Sequence, residues 1–156
     1  MPEPSSKIPT DKKQLSALVE IVAALRAPDG CPWDKEQTHE TLTRYAIEEA
    51  HELAEAIDSG SRDAIVSELG DLLLQVVLHA QIASEENRFS MEDVIESISE
   101  KMVRRHPHVF SDLEVSGTEE VMLNWEQIKA KEKGSAKKKL IDIPESLPSL
   151  IRSQKI

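Results

Sequence analysis

Residues Asp63 to Glu86 read DAIVSELGDLLLQVVLHAQIASEE, and their pattern decides the fold. Ile65, Leu69, Leu73, Val76, Ala80 and Ala83 recur at helical spacing, which predicts one long helix. Its middle, Leu72-Leu73-Leu74-Gln75-Val76-Val77-Leu78, is apolar on nearly every side, as in a helix buried among others or held at a subunit interface. Such a helix needs helical neighbours.

The flanking residues supply them. Thr38 to Ile57 predicts a helix with Ala46, Ala50, Leu53 and Ile57 as its apolar stripe and Asp58-Ser59-Gly60 as its stop. Lys12 to Arg26 predicts another, through Leu15, Leu18, Val19, Val22 and Leu25, closed by Pro28-Asp29-Gly30. Cys31 to Asp34 is expected to be irregular, because Pro32 blocks helical continuation. Ser90-Met91-Glu92-Asp93 is an N-cap with acids in the first turn, and its helix should reach about Arg104 before Pro107 stops it. A last helix is expected from Thr118 through Trp125 to about Lys133. The expected organisation is a loose arm over 1–11, one all-α domain over 12–133, and a basic, linker-like segment over 134–156.

Composition agrees. The 156 residues include 5 Gly and only 3% aromatics beside 31% charged residues, which suits helices better than a sandwich or barrel. A formal charge of −10 argues against broad adhesion to nucleic acid or anionic lipid, both of which need clustered positive charge. The single cysteine, Cys31, cannot form an internal disulfide, no segment is expected to approach the apolar length needed for a membrane span, and residues 1–13 have no apolar signal core. A cytoplasmic protein is expected.

Glu48-Glu49-Ala50-His51-Glu52 is followed sixteen residues later by Glu68-Leu69-Gly70-Asp71. At about 100° per residue, Glu49 and Glu52 lie roughly 60° apart on one helix, and Glu68 and Asp71 repeat the arrangement on the next. If the turn at Gly60 makes the two helices antiparallel neighbours, four carboxylates converge and repel one another unless a cation joins them. All-oxygen ligation suits Mg²⁺ or Mn²⁺, and Mg²⁺ shares its remaining positions with water and phosphate. The plain alternative is a solvated acidic face, which Glu55 fits. Against it, Asp71 interrupts an apolar run, and Gly70 costs about 1 kcal/mol inside a helix unless it serves a close approach or another packing need. A second metal reading rests on the Glu-x-x-His pairs Glu48/His51 and Glu36/His39, a spacing found in di-iron bundles, but the long helix offers no matching pair.

Positive charge gathers in Lys101-Met102-Val103-Arg104-Arg105-His106-Pro107-His108. Cations here satisfy a helix C-terminus, and Lys101 and Arg105, four apart, also share a face from which both can reach one polyphosphate. Trp33 and Trp125 can stack on a nucleobase or pack in the core, and Lys129 lies one turn beyond Trp125.

Four motifs in this order, Cys31-Pro32-Trp33-Asp34-Lys35-Glu36-Gln37-Thr38-His39, the two acidic motifs, Arg104-Arg105-His106-Pro107-His108-Val109-Phe110 and Asn124-Trp125-Glu126-Gln127-Ile128-Lys129, resemble MazG nucleoside triphosphate pyrophosphohydrolases over about residues 12–156. The resemblance implies an all-α, dimer-forming helical bundle with Mg²⁺ held by Glu49, Glu52, Glu68 and Asp71. It implies Lys101, Arg105, Trp125 and Lys129 near the nucleotide, to which the sequence adds Arg104 and Trp33, and Glu48 or Glu52 as the acid serving the attacking water. The implied reaction is Mg²⁺-dependent hydrolysis of nucleoside triphosphates to monophosphate and pyrophosphate, which would clean or adjust nucleotide pools. Residues 143–156 resemble the lead-in to a second copy in tandem members of the family. The rival reading is therefore an inactive first domain that binds nucleotides and dimerises without cutting them.

Overall fold

The computed structural model describes residues 7–133. The arm before residue 7 and the segment 134–156 lie outside the described residues. Seven helices and no strand occur among them: α1 Leu15–Arg26, α2 Pro32–Glu36, α3 His39–Ser59, α4 Arg62–Glu85, α5 Met91–Arg105, α6 Pro107–Phe110 and α7 Thr118–Glu132. The all-α expectation holds. The chain divides into two compact units between Ile98 and Ser99.

Two helices were not expected. Pro32 and Pro107 read as stops, yet each occupies the first turn of a short helix, α2 and α6. The first-turn N–H has no helical acceptor in any case, so proline loses nothing there and its fixed φ favours the start. Lys7, inside the expected arm, pairs with Asp29 in the turn after α1.

In the first unit, α3 and α4 form an antiparallel hairpin joined by Gly60 and Ser61. Thr38 and Thr41 cap α3 reciprocally, Thr41 N–H donating to Thr38 Oγ1 at 3.2 Å and Thr38 N–H to Thr41 Oγ1 at 2.8 Å. Gly60, at φ 69°, ends α3 in the left-handed region, and Ser61 Oγ accepts from Ala64 N–H to begin α4. Val22 from α1, Leu42 from α3, and Val77, Leu78 and Ile82 from α4 form the core, flanked by Leu18, Val19, Tyr45, Leu74 and Met91.

The predicted stripes need correction. On α3, Ala50 and Ile57 face solvent, whereas Leu42 and Ala56 are buried and Glu49 is half-buried. The packed face is therefore rotated from the predicted one and runs through the first acidic motif. On α4 every buried residue lies between Gln75 and Ala83, where α1 and α3 both pack. Val66, Leu69, Leu73 and Val76 remain 55%, 50%, 40% and 39% exposed. By length and composition α4 is also apolar enough to cross a membrane, with a mean hydropathy of 1.3 over its best window, so the expectation that no segment comes near this is corrected. A Cβ at Gly70 meets nothing within 4 Å, so this glycine serves no close approach among the described residues.

Arg26 fixes the upper end of this unit. Its side chain is 7% exposed; Nε donates to Glu85 Oε1 at 3.0 Å, Nη2 to Glu85 Oε2 at 2.9 Å, and Nη1 to the carbonyls of Gln37, at 3.1 Å, and Asp34. One guanidinium thus joins α1, α2, the start of α3 and the end of α4, and its hydrogen bond holds the Glu85 carboxyl below the usual range.

In the second unit, Glu132 on α7 receives Arg104 Nε at 2.5 Å and Arg105 Nη2 at 2.8 Å. The Arg105 guanidinium carbon lies 5.2 Å from the Trp125 ring centroid, and His106 meets that ring edge-on at 5.1 Å.

Candidate metal centre

Pairing α3 with α4 brings carboxylates from both acidic motifs together. Glu49, Glu68 and Asp71 each place one oxygen within 4.8 Å of the others. Glu49 and Glu68 are half-buried and Asp71 is exposed, so the cluster opens to solvent along one flank of the helix pair. Glu49 Oε2 and Glu68 Oε2 are buried without a hydrogen-bond partner. Burial raises the Glu49 carboxyl, followed by the charges of Glu52, Asp71, Glu68 and Glu48. Burial also raises Glu68, followed by Glu52 and Asp71 and by a hydrogen bond shared with Glu52.

Unpartnered buried oxygens and mutual repulsion both define a place for positive charge, and an all-oxygen donor set suits a hard divalent cation. Glu49, Glu68 and Asp71 form an acidic group that could hold such a cation. Glu52 borders the cluster through Glu68. Glu48 is exposed and exerts the weakest of the four charges felt by Glu49. The di-iron alternative finds no support among the described residues, since His51 is exposed and His39 instead meets His79.

Sequence reading missed that histidine contact. His39 Nδ1 lies 2.7 Å from His79 Nδ1, with the rings 3° from parallel and 5.0 Å apart. One nitrogen must donate and the other accept, and burial followed by His39 lowers the His79 pKa. Only the helical register pairs two histidines forty residues apart, so neither motif signalled it.

The expected nucleotide-side residues fall into two groups. Trp33 belongs to the first unit, where its ring meets Tyr45. Lys101, Arg104, Arg105, Trp125 and Lys129 belong to the second, where Arg104 and Arg105 are committed to Glu132 and Trp125 is covered by Arg105 and His106. Among the described residues, Lys101 and Lys129 form no ion pair.

Residues 37–110, which hold both acidic motifs, match the family model described as the MazG nucleotide pyrophosphohydrolase domain. The chain carries a MazG domain. Over 146 residues it is 49% identical to a nucleoside triphosphate pyrophosphohydrolase of Escherichia coli K12, a match covering 92% of this chain and 56% of that protein. It is 51% identical over 144 residues to the uncharacterized protein YabN of Bacillus subtilis 168, covering 92% of this chain and 29% of that protein. The crystal structure of a mazG-related protein from Thermotoga maritima superposes with a TM-score of 0.62 at 28% identity, over 74% of this chain and 99% of that one. The chain thus spans about half the length of the E. coli relative and less of YabN. The two helices that carry the carboxylates lie wholly within the segment that matches the MazG domain.

Proposed function

We propose that this MazG domain hydrolyses nucleoside triphosphates to monophosphate and pyrophosphate with Mg²⁺, Mn²⁺ being a possible substitute, at the α3/α4 carboxylate cluster. The observation that carries the reading is the convergence of Glu49, Glu68 and Asp71 with two buried, unpartnered oxygens. The names of the E. coli and other relatives support the reaction class. Glu49, Glu52, Glu68 and Asp71 would hold the cation. Bound there, it would neutralise phosphate charge and draw electron density from the phosphorus under attack.

The remaining roles fall to side chains. Glu52 borders the cluster and is the better placed of the two candidate bases to accept the proton of the attacking water, while Glu48 orients that water or supports Glu49. Lys101 and Lys129 are the proposed phosphate contacts, since Arg104 and Arg105 already serve Glu132. In this reading the two arginines and Trp125 shape the basic surface. Residues 12–133 form the catalytic domain. The domain acts in the cytoplasm on nucleotide pools, with no role for nucleic acid or membrane.

The bare half of α4 supports a homodimer. Val66, Leu69, Leu73 and Val76 follow 3- and 4-residue steps, the seam that two copies of one helix bury against each other. The test of the centre is Mn²⁺ titration followed by electron paramagnetic resonance. The parent chain should bind Mn²⁺ in competition with Mg²⁺, and Glu68→Gln should weaken binding at least tenfold with the helical circular dichroism intact. Glu52→Gln should lose turnover more than metal affinity. Undiminished Mn²⁺ binding by Glu68→Gln and Glu49→Gln together would remove the cluster from the reaction.

A further inference from the structure

A second polar contact joins α3 to α4: that of His39, at the start of one helix, with His79, near the end of the other. The two Nδ1 atoms are 2.7 Å apart, whereas two nitrogens on one tetrahedral cation, each about 2.0–2.1 Å from it, stand more than about 3 Å from each other. What joins the rings is a proton. The ring centres are 5.0 Å apart, as far as a 2.7 Å contact between Nδ1 atoms allows, and the planes differ by 3°. The rings therefore lie edge to edge in nearly one plane, with the Nδ1 lone pair of one aimed along the N–H of the other.

Burial decides which ring donates. His39 Nε2 is buried without a partner. A buried N–H without an acceptor is rarer than a bare acceptor, so Nε2 is the unprotonated nitrogen and the His39 proton sits on Nδ1, donated to His79 Nδ1. His79 then carries its own proton on Nε2. A further proton has no good place: on His39 Nε2 it would be buried without an acceptor, and on His79 Nδ1 it would break the bond and set two donors face to face. In keeping with this, burial and then the charge of His39 hold the His79 pKa below the ordinary histidine value.

We propose that His39 and His79 are positioning residues for the cation site: their shared proton holds α3 in register with α4, and protonation in mild acid releases it. The proposal rests on the carboxylate cluster being that site. His39 precedes Glu49 by ten residues on α3, about 15 Å, and His79 follows Asp71 and Glu68 by eight and eleven on α4, about 12 and 16 Å. The two contacts are thus two rungs of one antiparallel register, and a slip of α3 along α4 at the first displaces Glu49 from Glu68 and Asp71 at the second. Few charges surround the pair among the described residues. His39 is the charged neighbour that acts on His79, and Glu40, exposed beside His39, feels His39 and Arg88 from the turn after α4. On α1, which packs on α4, Glu20 is exposed and Arg26 is committed to Glu85; Glu36 on α2 and Glu92 and Asp93 at the start of α5 are exposed. The neutral pair binds fewer protons than unfolded histidines do near their ordinary pKa of about 6.5, so its contribution is complete above that range and is lost as pH falls through it.

The imidazole ¹⁵N NMR spectrum of the full chain, assigned with His39→Gln and His79→Gln, should show one protonated and one bare Nδ1 in the pair at pH 7.5, the bare ring charging below about pH 6. Mn²⁺ affinity tests the positioning. In His79→Gln the amide oxygen still accepts from His39 Nδ1 but takes no proton, so this chain should bind Mn²⁺ like the parent at pH 7.5 and about threefold or more tighter than the parent at pH 5.5. The carboxylates weaken in acid equally in both chains, so the ratio isolates the pair. His79→Leu, which can neither accept nor charge, should bind more weakly than both at pH 7.5. A ratio that is the same at both pH values, or two rings that titrate as ordinary histidines, would overturn the proposal. No Mn²⁺ binding by any chain at any pH would remove the cluster reading and the positioning role together, while the ¹⁵N spectrum would still decide the shared proton.

Discussion

Arg26 ties together several elements of the first unit: a buried guanidinium on two backbone carbonyls and one carboxylate. Hydrogen bonds to charged groups are each worth about 1.5–3 kcal/mol, so Arg26→Ala should lower the stability of the chain by about 2 kcal/mol or more in urea unfolding. Arg26→Lys should recover only part of this, because an ammonium cannot serve a carboxylate bidentately and two carbonyls at once. In the second unit the corresponding anchor is Glu132, whose carboxyl is pulled down to about 2 by hydrogen bonds from Arg104 and then Arg105. A carboxyl depressed on folding binds fewer protons in the native state than in the unfolded one. Its contribution is therefore complete above the ordinary glutamate range and is lost as pH falls through that range toward 2. In a Trp33→Phe chain, the emission of Trp125 should begin to change below about pH 4.5, and Glu132→Gln should bring that change to neutral pH. Neither anchor was legible in the sequence. Arg26 binds carbonyls that any residue types would supply, and Glu132 falls at a helix end with no motif around it.

The turn between α1 and α2 depends on one glycine. A Cβ at Gly30 would lie 2.2 Å from the Leu25 carbonyl oxygen and 2.5 Å from that of Ala24, both backbone, while Gly30 N–H and Cys31 N–H are bonded to Ala27 and Leu25. Gly30→Ala should therefore cost more than the roughly 1 kcal/mol typical of a point mutation and should loosen α2, and Trp33 with it, in thermal unfolding. The pair α3 and α4 makes the opposite kind of prediction, since it gathers like charges. Glu49 and Glu68 are raised by burial and by their neighbours, so the native state binds more protons than the unfolded one and stability without a divalent cation falls as pH rises past the usual carboxylate range. Mg²⁺ should raise the Tm clearly at pH 7.5 and little at pH 4, and EDTA should reverse it. Equal effects at both pH values would mean that the cation binds elsewhere. The five long helices were readable, because stops and caps such as Gly60 and Ser90 are local chemistry. The rotation of the α3 stripe was not. It arises because Leu42, Glu49 and Ala56 follow seven-residue steps, so burying Leu42 and Ala56 carries Glu49 into the packed face.

A 24-residue helix packed along only part of its length is the main feature that the fold leaves open. If a second copy covers Val66, Leu69, Leu73 and Val76, sedimentation should give a dimer, and Leu73→Lys should yield a folded monomer by placing like charges across the seam. A parent chain that sediments as a monomer at all concentrations would remove the dimer. The four motifs made the family legible along the sequence, and both acidic motifs fall within the matched segment. Sequence could pair the two acidic motifs because a short turn joins their helices. It could not supply the Trp33–Tyr45 ring contact, which requires α2 to meet α3. The central claim concerns one bond, and hydrolysis in H₂¹⁸O with Mg²⁺ tests it most directly. The account predicts monophosphate carrying the label and unlabelled pyrophosphate, with no product after chelation. Labelled pyrophosphate, or diphosphate with orthophosphate, would contradict it.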